Sequence, residues 1–352
     1  MASSGPASLF TRARRPCHLL AMTEVFSWRE APPGDYAVIG DPIAHSKSPA
    51  MHMAAYRALG LDLTYRAIHV PVGEVPQALE HLRELGYRGV NVTVPHKGAA
   101  LSWASRSDTI ARESGGANTL TLRPRLATNT DAVGFRISLR VLPVKPRNVM
   151  ILGAGGTAST ILLETIERGG ARLAIWNRNP ERAYQLLDQV GTRLEPRDQV
   201  LVTLRRENFG DDRPATSDEE FARRSAALAS VEVLASPDPA GFDLVVNATP
   251  ASLRGEDLGI DWSLAKDGAT AYDLAYNVDD APFLRKAREA GIRTMDGRPM
   301  LAAQGASAFC DWGIDRLDPA SVALGRTQRL PRSSDSLVDI ATLRRIMLGA
   351  LY

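Results

Sequence analysis

Residues 89–97, GVNVTVPHK, end in two side chains that could act on a proton. Valines alternate with polar residues here, which predicts a strand over 90–94 with one buried face. Pro95 has no N–H to give to a sheet and ends the strand, so His96 and Lys97 follow at its carboxyl end. Open α/β sheets bind ligands beyond the carboxyl ends of their strands. Lys97 is therefore a candidate proton donor; the alternative is a solvated lysine after a turn.

Hydroxyl side chains form a second candidate cluster in the loop 40–49, GDPIAHSKSP. This loop follows a predicted strand over 36–39 and leads into a predicted helix over 49–59. Ser46 and Ser48 lie beside His45 and Lys47, and the cluster could donate hydrogen bonds to a carboxylate. The alternative is that the serines only cap the helix.

Amide and acid side chains follow in residues 115–120, GGANTL, and 127–134, ATNTDAVG. Asn118 heads a predicted short strand. Asn129, Thr130 and Asp131 lie directly before a predicted helix over 132–141. Asn and Asp are also frequent in Asx turns and helix caps, so Asp131 could be a cap alone.

A glycine-rich turn predicts a dinucleotide site in the second half of the chain. A buried-type strand over 149–152 runs into the turn, and an apolar helix over 159–166 continues. Glycines let the backbone approach a pyrophosphate, and the helix N-terminus favours its negative charge. The turn consists of Gly153, Ala154, Gly155, Gly156, Thr157 and Ala158.

The end of the next strand indicates which dinucleotide binds. A strand over 171–178 ends at Asn177 and Arg178, and Arg182 follows. Sites for NAD carry an acid at this place, which holds the ribose 2′-hydroxyl. An arginine without an acid suits a 2′-phosphate, because the guanidinium can donate two hydrogen bonds to it. The sequence predicts NADP; the alternative is that these arginines are surface charges.

Periodicity predicts alternating strands and helices along the whole chain. A strand over 64–70 and a helix over 75–85 complete a mostly parallel α/β unit in the first half. The second half has predicted strands over 200–204, 243–247, 270–274 and 292–295. Its predicted helices are 221–228, 283–290, one containing Met300 that runs to about residue 312, and an amphipathic one over 337–351.

Composition excludes several classes of protein. The chain has 352 residues, enough for about two domains. A net charge of +2 without a dense basic run argues against a nucleic-acid partner. The two cysteines, Cys17 and Cys310, are far apart, which argues against a disulfide framework or a cysteine metal site. No apolar run approaches the roughly 18 residues of a membrane span, so we expect a cytoplasmic protein.

Residues 1–21 differ from the rest of the chain. They carry arginines and serines, and no acid occurs before Glu24. This composition is typical of an organelle transit peptide. The interpretation that we favour is a disordered leader or an over-extended start, because Met22 stands just before the globular sequence.

From residue 36 to 312 the chain resembles the shikimate dehydrogenase family, through motifs in the family's order. The motifs are 40–49 for GxPIxHSxSP, 91–97 for NVTxPHK, 116–119 for GAxNT in the variant GANT, 129–131 for NTD, 153–158 for GAGGxA, 177–178 for the adenosine-phosphate end, 247–250 for NATP, 273–276 for DxxY and 297–304 for GxxMLxxQ.

The resemblance implies an α/β fold of two domains. A mostly parallel α/β substrate-binding domain would comprise residues 22–131 and 313–352. A Rossmann domain with an enlarged region over 192–240 would comprise residues 132–312. The family reduces 3-dehydroshikimate to shikimate with NADPH in aromatic amino acid biosynthesis, without a metal. We expect a monomer or homodimer.

The resemblance also implies roles for individual residues. Lys97 and Asp131 would be the catalytic pair, and Ser46 and Ser48 would hold the substrate carboxylate. The residues expected around the ring hydroxyls are Thr93, Asn118, Tyr276 and Gln304. Further cofactor contacts would come from Thr249 and Gly297, beside the glycine-rich turn and Asn177, Arg178 and Arg182.

The sequence departs from the family at several positions. Met53 follows His52 where the family has asparagine, and Ala251, Ser252 and Leu253 replace the usual continuation of NATP. Asn179 stands where serine or threonine is usual. Two alternatives stay open: a quinate or quinate/shikimate dehydrogenase that uses NAD or NADP, and a non-catalytic metabolite sensor on the same fold.

Overall fold

The computed structural model describes residues 24–143, 145–194, 218–276, 278, 280–317 and 339–352. The predicted leader 1–21 and the predicted strand 200–204 lie outside these residues. No helix within the described ranges is both long and apolar enough to cross a membrane.

The first half of the chain forms a seven-stranded sheet in the order β1-β3-β2-β4-β6-β7-β5. Strands β1 to β4 pair in parallel, whereas β6 runs antiparallel to both of its neighbours. The sheet is therefore mostly parallel, as predicted. The strands are β1 Val25–Ser27, β2 Tyr36–Gly40, β3 Tyr65–His69, β4 Gly89–Val92, β5 Arg106–Ser107, β6 Thr119–Thr121 and β7 Leu126–Thr128.

The second half forms a six-stranded parallel sheet in the order β10-β9-β8-β11-β12-β13. Numbered from its own first strand, this order is 3-2-1-4-5-6, which defines the doubly wound dinucleotide-binding fold. The predicted fold class is confirmed. The strands are β8 Asn148–Leu152, β9 Arg172–Trp176, β10 Glu232–Val233, β11 Leu244–Asn247, β12 Thr270–Asp273 and β13 Arg293–Met295.

Helices cover both sheets. They are α1 Ser48–Ala58, α2 Val75–Glu84, α3 Lys97–Trp103, α4 Thr109–Ser114, α5 Asp131–Ser138, α6 Gly156–Glu167, α7 Pro180–Arg193, α8 Asp218–Ala229, α9 Pro282–Glu289, α10 Arg298–Asp311 and α11 Ile340–Gly349. Short 3₁₀ turns occur at Trp28–Glu30, Leu139–Val141, Ser252–Arg254, Trp262–Leu264 and Ile314–Arg316. Most predicted elements appear within a few residues of their predicted ends.

Helix α10 joins the two halves of the molecule. Its residues Leu301, Ala306 and Phe309 are buried in the core of the first sheet, together with Leu343 and Met347 of α11. Met300, near its N-terminus, packs in the core of the second sheet. The predicted domain boundary at residue 312 falls at the end of this helix, which packs both on α5 of the predicted second domain and on α11 of the predicted first domain.

His52 of α1 lies in the first core without exposure to solvent. Its ring stacks on that of Tyr65 at a centroid distance of 4.2 Å. Neither ring nitrogen has a hydrogen-bonding partner among the described residues. Burial disfavours the charged imidazolium and lowers the pKa of His52 from 6.5 to about 3.

A buried cluster of charges joins the first half of the chain to the second. Arg224 of α8 is fully buried, and its Nη2 lies 2.5 Å from Oε2 of Glu113 in α4, which is also fully buried. The Arg224 Nε atom lies 2.7 Å from Oε1 of Glu167 in α6. The predicted enlarged region thus contributes a cation that pairs with carboxylates from both halves.

Candidate active site

Lys97 and Asp131 form an ion pair where the two halves of the molecule meet. Each is the first residue of its helix, α3 and α5, and the Lys97 Nζ contacts Oδ2 of Asp131. Their side chains are only 13% and 10% exposed. The Lys97 Nζ also donates to the Thr157 hydroxyl at 3.1 Å. Because Thr157 belongs to the glycine-rich turn, this contact brings the predicted proton donor beside the predicted dinucleotide site.

Asn118 links the other oxygen of Asp131 to Gln304. The Asn118 amide donates to Oδ1 of Asp131 at 2.7 Å and to Oε1 of Gln304 at 3.2 Å. Thr130 joins this network, since its backbone N–H donates to the Asn118 side-chain oxygen at 2.8 Å. All of these side chains are buried. The structure thus places three of the predicted site residues, Asn118, Asp131 and Gln304, in one polar cluster.

Asn129 fixes the backbone on which this cluster depends. Its amide nitrogen donates to the Gly116 carbonyl at 2.9 Å and to the Thr160 hydroxyl at 2.9 Å. Its side-chain oxygen accepts from the backbone N–H of Asp131 at 3.2 Å. The motif residue Asn129 therefore holds the loops that carry Asn118 and Asp131.

The serine cluster lies against two tyrosines. Burial raises the pKa of the Tyr276 phenol, although the phenol oxygen hydrogen-bonds with the Ser46 hydroxyl and with the Lys47 backbone. Ser48 hydrogen-bonds to Tyr65, whose pKa burial also raises. Helix α1 begins at Ser48, after Lys47 at the N-cap, and has no side-chain cap. The alternative that Ser48 acts as the helix cap is wrong for this structure.

Tyr65 and Asn91 are site neighbours that the sequence analysis missed. The Tyr65 hydroxyl donates to the Asn91 side-chain oxygen at 2.6 Å, and the Asn91 amide donates to the Thr119 hydroxyl at 3.0 Å. Asn91 is buried although it lies at a polar position of the alternating strand. The signal in the sequence was an Asn between two valines of a predicted strand. A buried amide at such a position requires hydrogen-bonding partners.

Two residues of the stretch 89–97 lie elsewhere than predicted. Strand β4 ends at Val92, and Val94 is 64% exposed. His96 is buried, and its Nε2 lies 2.6 Å from the Val70 carbonyl, so it holds the loop and not a ligand. Thr93 is half-buried, and its backbone N–H donates to the Ile39 carbonyl at 2.9 Å.

The glycine-rich turn has the shape that a pyrophosphate requires. Helix α6 begins at Gly156 with Gly155 as its N-cap, and both glycines are exposed. A side-chain Cβ built at either glycine would meet no described atom within 4 Å. Open space therefore lies before the free N–H groups of a 12-residue helix, which suits a phosphate group. These residues fit a bound dinucleotide.

The predicted 2′-phosphate residues lie just beyond β9. The Asn177 amide donates to the Asn179 carbonyl at 2.7 Å, which shapes the turn. Arg178 is 70% exposed, and its Nη2 lies 2.9 Å from Oε2 of Glu256. Arg182 is exposed on the first turn of α7. Glu256 comes from the loop after β11 and is not among the residues predicted from the sequence.

The remaining predicted cofactor residues, Thr249 and Gly297, lie in the loops after β11 and β13. The Thr249 hydroxyl donates to the Asn247 side-chain oxygen at 2.6 Å. The Ser252 hydroxyl donates to Asp273, whose carboxyl pKa is raised by burial. Gly297 is buried, and a Cβ there would overlap the Leu274 carbonyl oxygen. A close backbone approach thus explains the glycine, and its predicted contact with the cofactor stays a prediction.

Comparison with known proteins agrees with this geometry. The sequence profile of the shikimate dehydrogenase substrate binding domain matches residues 38–120. A shikimate dehydrogenase (NADP(+)) from Symbiobacterium thermophilum is 34% identical over 305 residues, 86% of this chain and 96% of that protein. One from Methylobacillus flagellatus is 36% identical over 293 residues, 82% of this chain and 96% of that protein.

A solved structure is also similar. Shikimate 5-dehydrogenase from Thermus thermophilus, in complex with NADP(H) and shikimate, superposes with a TM-score of 0.64 at 28% identity. The similarity covers 90% of this chain and 99% of that one. The motifs, the two sheets and these relatives show that the chain belongs to the shikimate dehydrogenase family.

Proposed function

We propose that this chain catalyses the reversible, NADP-dependent reduction of 3-dehydroshikimate to shikimate. The observation that carries the proposal is the Lys97–Asp131 ion pair in contact with Thr157 of the glycine-rich turn. A proton donor thus lies beside the place where a dinucleotide binds. The named activity of the relatives supports the same reaction.

Lys97 supplies the proton in this proposal. Bound NADPH supplies a hydride to the ketone carbon of the substrate. The ketone oxygen gains negative charge as its carbon is reduced, and the Lys97 ammonium donates a proton to that oxygen. In the direction of oxidation, the neutral amine accepts the hydroxyl proton. Because the pair is mostly buried, water competes little for this position.

Asp131 orients the lysine and one substrate hydroxyl. Its Oδ2 contacts the Lys97 Nζ, and its Oδ1 accepts from Asn118. A carboxylate oxygen has lone pairs for more than one donor, so Oδ1 can accept a substrate hydroxyl as well. Asn118 and Gln304 then bind neighbouring hydroxyls, and Thr93 and Tyr276 complete this side. A polyol suits such a set of directional groups.

Ser46 and Ser48 bind the substrate carboxylate in this proposal. Both are buried, and each is held by a tyrosine hydroxyl. The tyrosines hold the serine oxygens in place before the substrate arrives, which reduces the entropy lost on binding. Because a serine hydroxyl has one proton, each O–H turns from its tyrosine to the carboxylate when the substrate binds.

The cofactor residues follow from the same assignment. The turn from Gly153 to Ala158 holds the pyrophosphate, and Arg178 with Arg182 and Asn177 holds the 2′-phosphate. Thr249 and Gly297 border the nicotinamide side. A cytoplasmic location and a monomeric or homodimeric state complete the proposal; the two distant cysteines support a reducing compartment.

Steady-state assays with the purified chain test this function. Shikimate and quinate are each oxidised with NADP and with NAD, and reduced cofactor is followed by absorbance. We expect the largest kcat/KM for shikimate with NADP. Equal or larger values with quinate would favour the alternative dehydrogenase, and no turnover with any pair would favour the sensor.

A further inference from the structure

Arg178, Glu256 and Arg254 form a small charged cluster at the adenosine end of the dinucleotide site. Glu256 accepts from Nη2 of Arg178 at 2.9 Å and from Nε of Arg254 at 2.5 Å. These side chains are exposed enough for a bound cofactor to reach them. One carboxylate thus lies between two guanidinium groups at the end of β9, where the 2′-phosphate of NADP is expected.

The position of Glu256 is built into the fold. The 3₁₀ turn Ser252–Arg254 ends at Gly255, whose φ of 65° lies in the left-handed region. The Glu256 backbone N–H then donates to the Ala251 carbonyl at 2.9 Å. Ser252 anchors the turn in the second sheet through Asn247 and Asp273.

The carboxylate of Glu256 is charged at neutral pH. Hydrogen bonds from Arg254 and from Arg178 hold the pKa of Glu256 below its usual value. The Glu256 carboxylate contacts the Arg178 guanidinium, so it repels a phosphate dianion that approaches Arg178. The cluster carries a net charge of +1, from two arginines and one glutamate, and replacement of Glu256 by glutamine would make it +2.

We propose that Glu256 is a specificity-determining residue. It weakens binding of the 2′-phosphate and so reduces the ratio of the affinity for NADP to the affinity for NAD. This inference rests on the proposed function, because it assigns Arg178 to the 2′-phosphate. Arg254 opposes Glu256, since it neutralises part of the carboxylate's charge. The two residues therefore act on phosphate affinity with opposite signs.

The experiment measures binding of two fragments that differ only in the 2′-phosphate. The dissociation constants of 2′,5′-ADP and of 5′-AMP are measured by calorimetry for the wild type, Glu256→Gln and Arg254→Gln. Glu256→Gln should tighten 2′,5′-ADP by about three- to tenfold, because a competing partner and a repulsive charge are both removed. Arg254→Gln should weaken it, and neither change should move 5′-AMP.

The chain offers a matched control. Arg172 and Glu232 form another exposed pair, joined by two hydrogen bonds of 2.9 Å, at the opposite end of β9. Glu232→Gln should leave both fragments unaffected. A general effect of net charge would instead tighten 2′,5′-ADP in this variant as well, and that result would overturn the proposal.

Arg178→Ala separates this inference from the function beneath it. If Arg178→Ala leaves 2′,5′-ADP binding unchanged, the 2′-phosphate site itself is misplaced. If Arg178→Ala weakens 2′,5′-ADP while Glu256→Gln leaves it unchanged or weakens it, only the role of Glu256 is overturned. Stronger salt dependence of 2′,5′-ADP binding in Glu256→Gln would support the added positive charge.

Discussion

Mild acid should destabilise this protein through His52. In the folded state burial keeps the ring neutral, with a pKa of about 3 in place of 6.5. Between these values the unfolded chain binds a proton that the folded chain does not, so the free energy of unfolding decreases as pH falls below 6.5. Each pH unit well inside this range costs about 1.4 kcal/mol. From pH 7 to pH 5 the loss from this single ring is about 2 kcal/mol.

The assay is urea denaturation at pH 7, 6 and 5 at constant ionic strength, on the wild type and on His52→Leu. Leucine removes the titrating ring and keeps the site apolar. Its unfolding free energy at pH 7 changes through lost stacking on Tyr65, so the quantity compared is the change between pH 7 and pH 5. The wild type should lose about 2 kcal/mol more than the variant.

A histidine at the surface provides the control. His45 is exposed in the loop before α1, and His45→Gln should keep the pH dependence of the wild type. Equal losses in the wild type and His52→Leu would refute the reasoning, because His52 would then take up its proton without unfolding.

Three further predictions concern the site. Lys97→Ala should lower kcat about 10²–10⁴-fold with substrate binding retained, because the proton donor is removed. The control is Lys286→Ala, at an exposed lysine paired with Asp257, which should keep wild-type turnover. A near-wild-type kcat for Lys97→Ala would exclude Lys97 as the proton donor. Ser46→Ala and Ser48→Ala should each raise KM for shikimate about tenfold or more and lower kcat less, since bonds to a charged carboxylate are worth roughly 1.5–3 kcal/mol; a lower melting temperature with unchanged KM would indicate a purely structural role. Arg178→Ala should raise KM for NADP and leave KM for NAD nearly unchanged, and equal changes would contradict its assignment to the 2′-phosphate.

Sequence patterns predicted the longer elements well and the short ones poorly. Helices α3 and α4 have 7 and 6 residues, and strand β5 has 2, so none is long enough to show a period. The strand predicted over 90–94 ends at Val92 instead, because the chain leaves the sheet before Val94. Alternation indicates which face is buried, but it does not show where pairing stops.

The site followed the same division. Motifs predicted a set of site residues, of which the structure brings Asn118, Asp131 and Gln304 together, but contacts between distant residues cannot be derived from spacing. Asn118 and Gln304 are separated by 186 positions, and the packing of α10 against α5 places Gln304 beside Thr130 and Asn118. The contacts of Lys97 with Thr157 and of Arg178 with Glu256 depend on how separate loops meet. The burial of His96 could not be predicted either. A histidine after a strand can be exposed to solvent or can bind a buried carbonyl, and the sequence pattern is the same in both cases.

The buried Arg224 makes α8, which lies in the predicted enlarged region, difficult to delete. Deleting α8, or changing Arg224 alone, would leave the carboxylates of Glu113 and Glu167 without this partner, and Glu113 has no access to water. Such a loss typically costs about 3–5 kcal/mol, whereas replacing a whole buried ionic cluster by apolar residues is often neutral. Before α8 could be deleted, Glu113 and Glu167 would therefore have to be replaced. The order of substitutions, and not the usefulness of the segment to catalysis, would then decide whether a shorter enzyme of this kind can be reached.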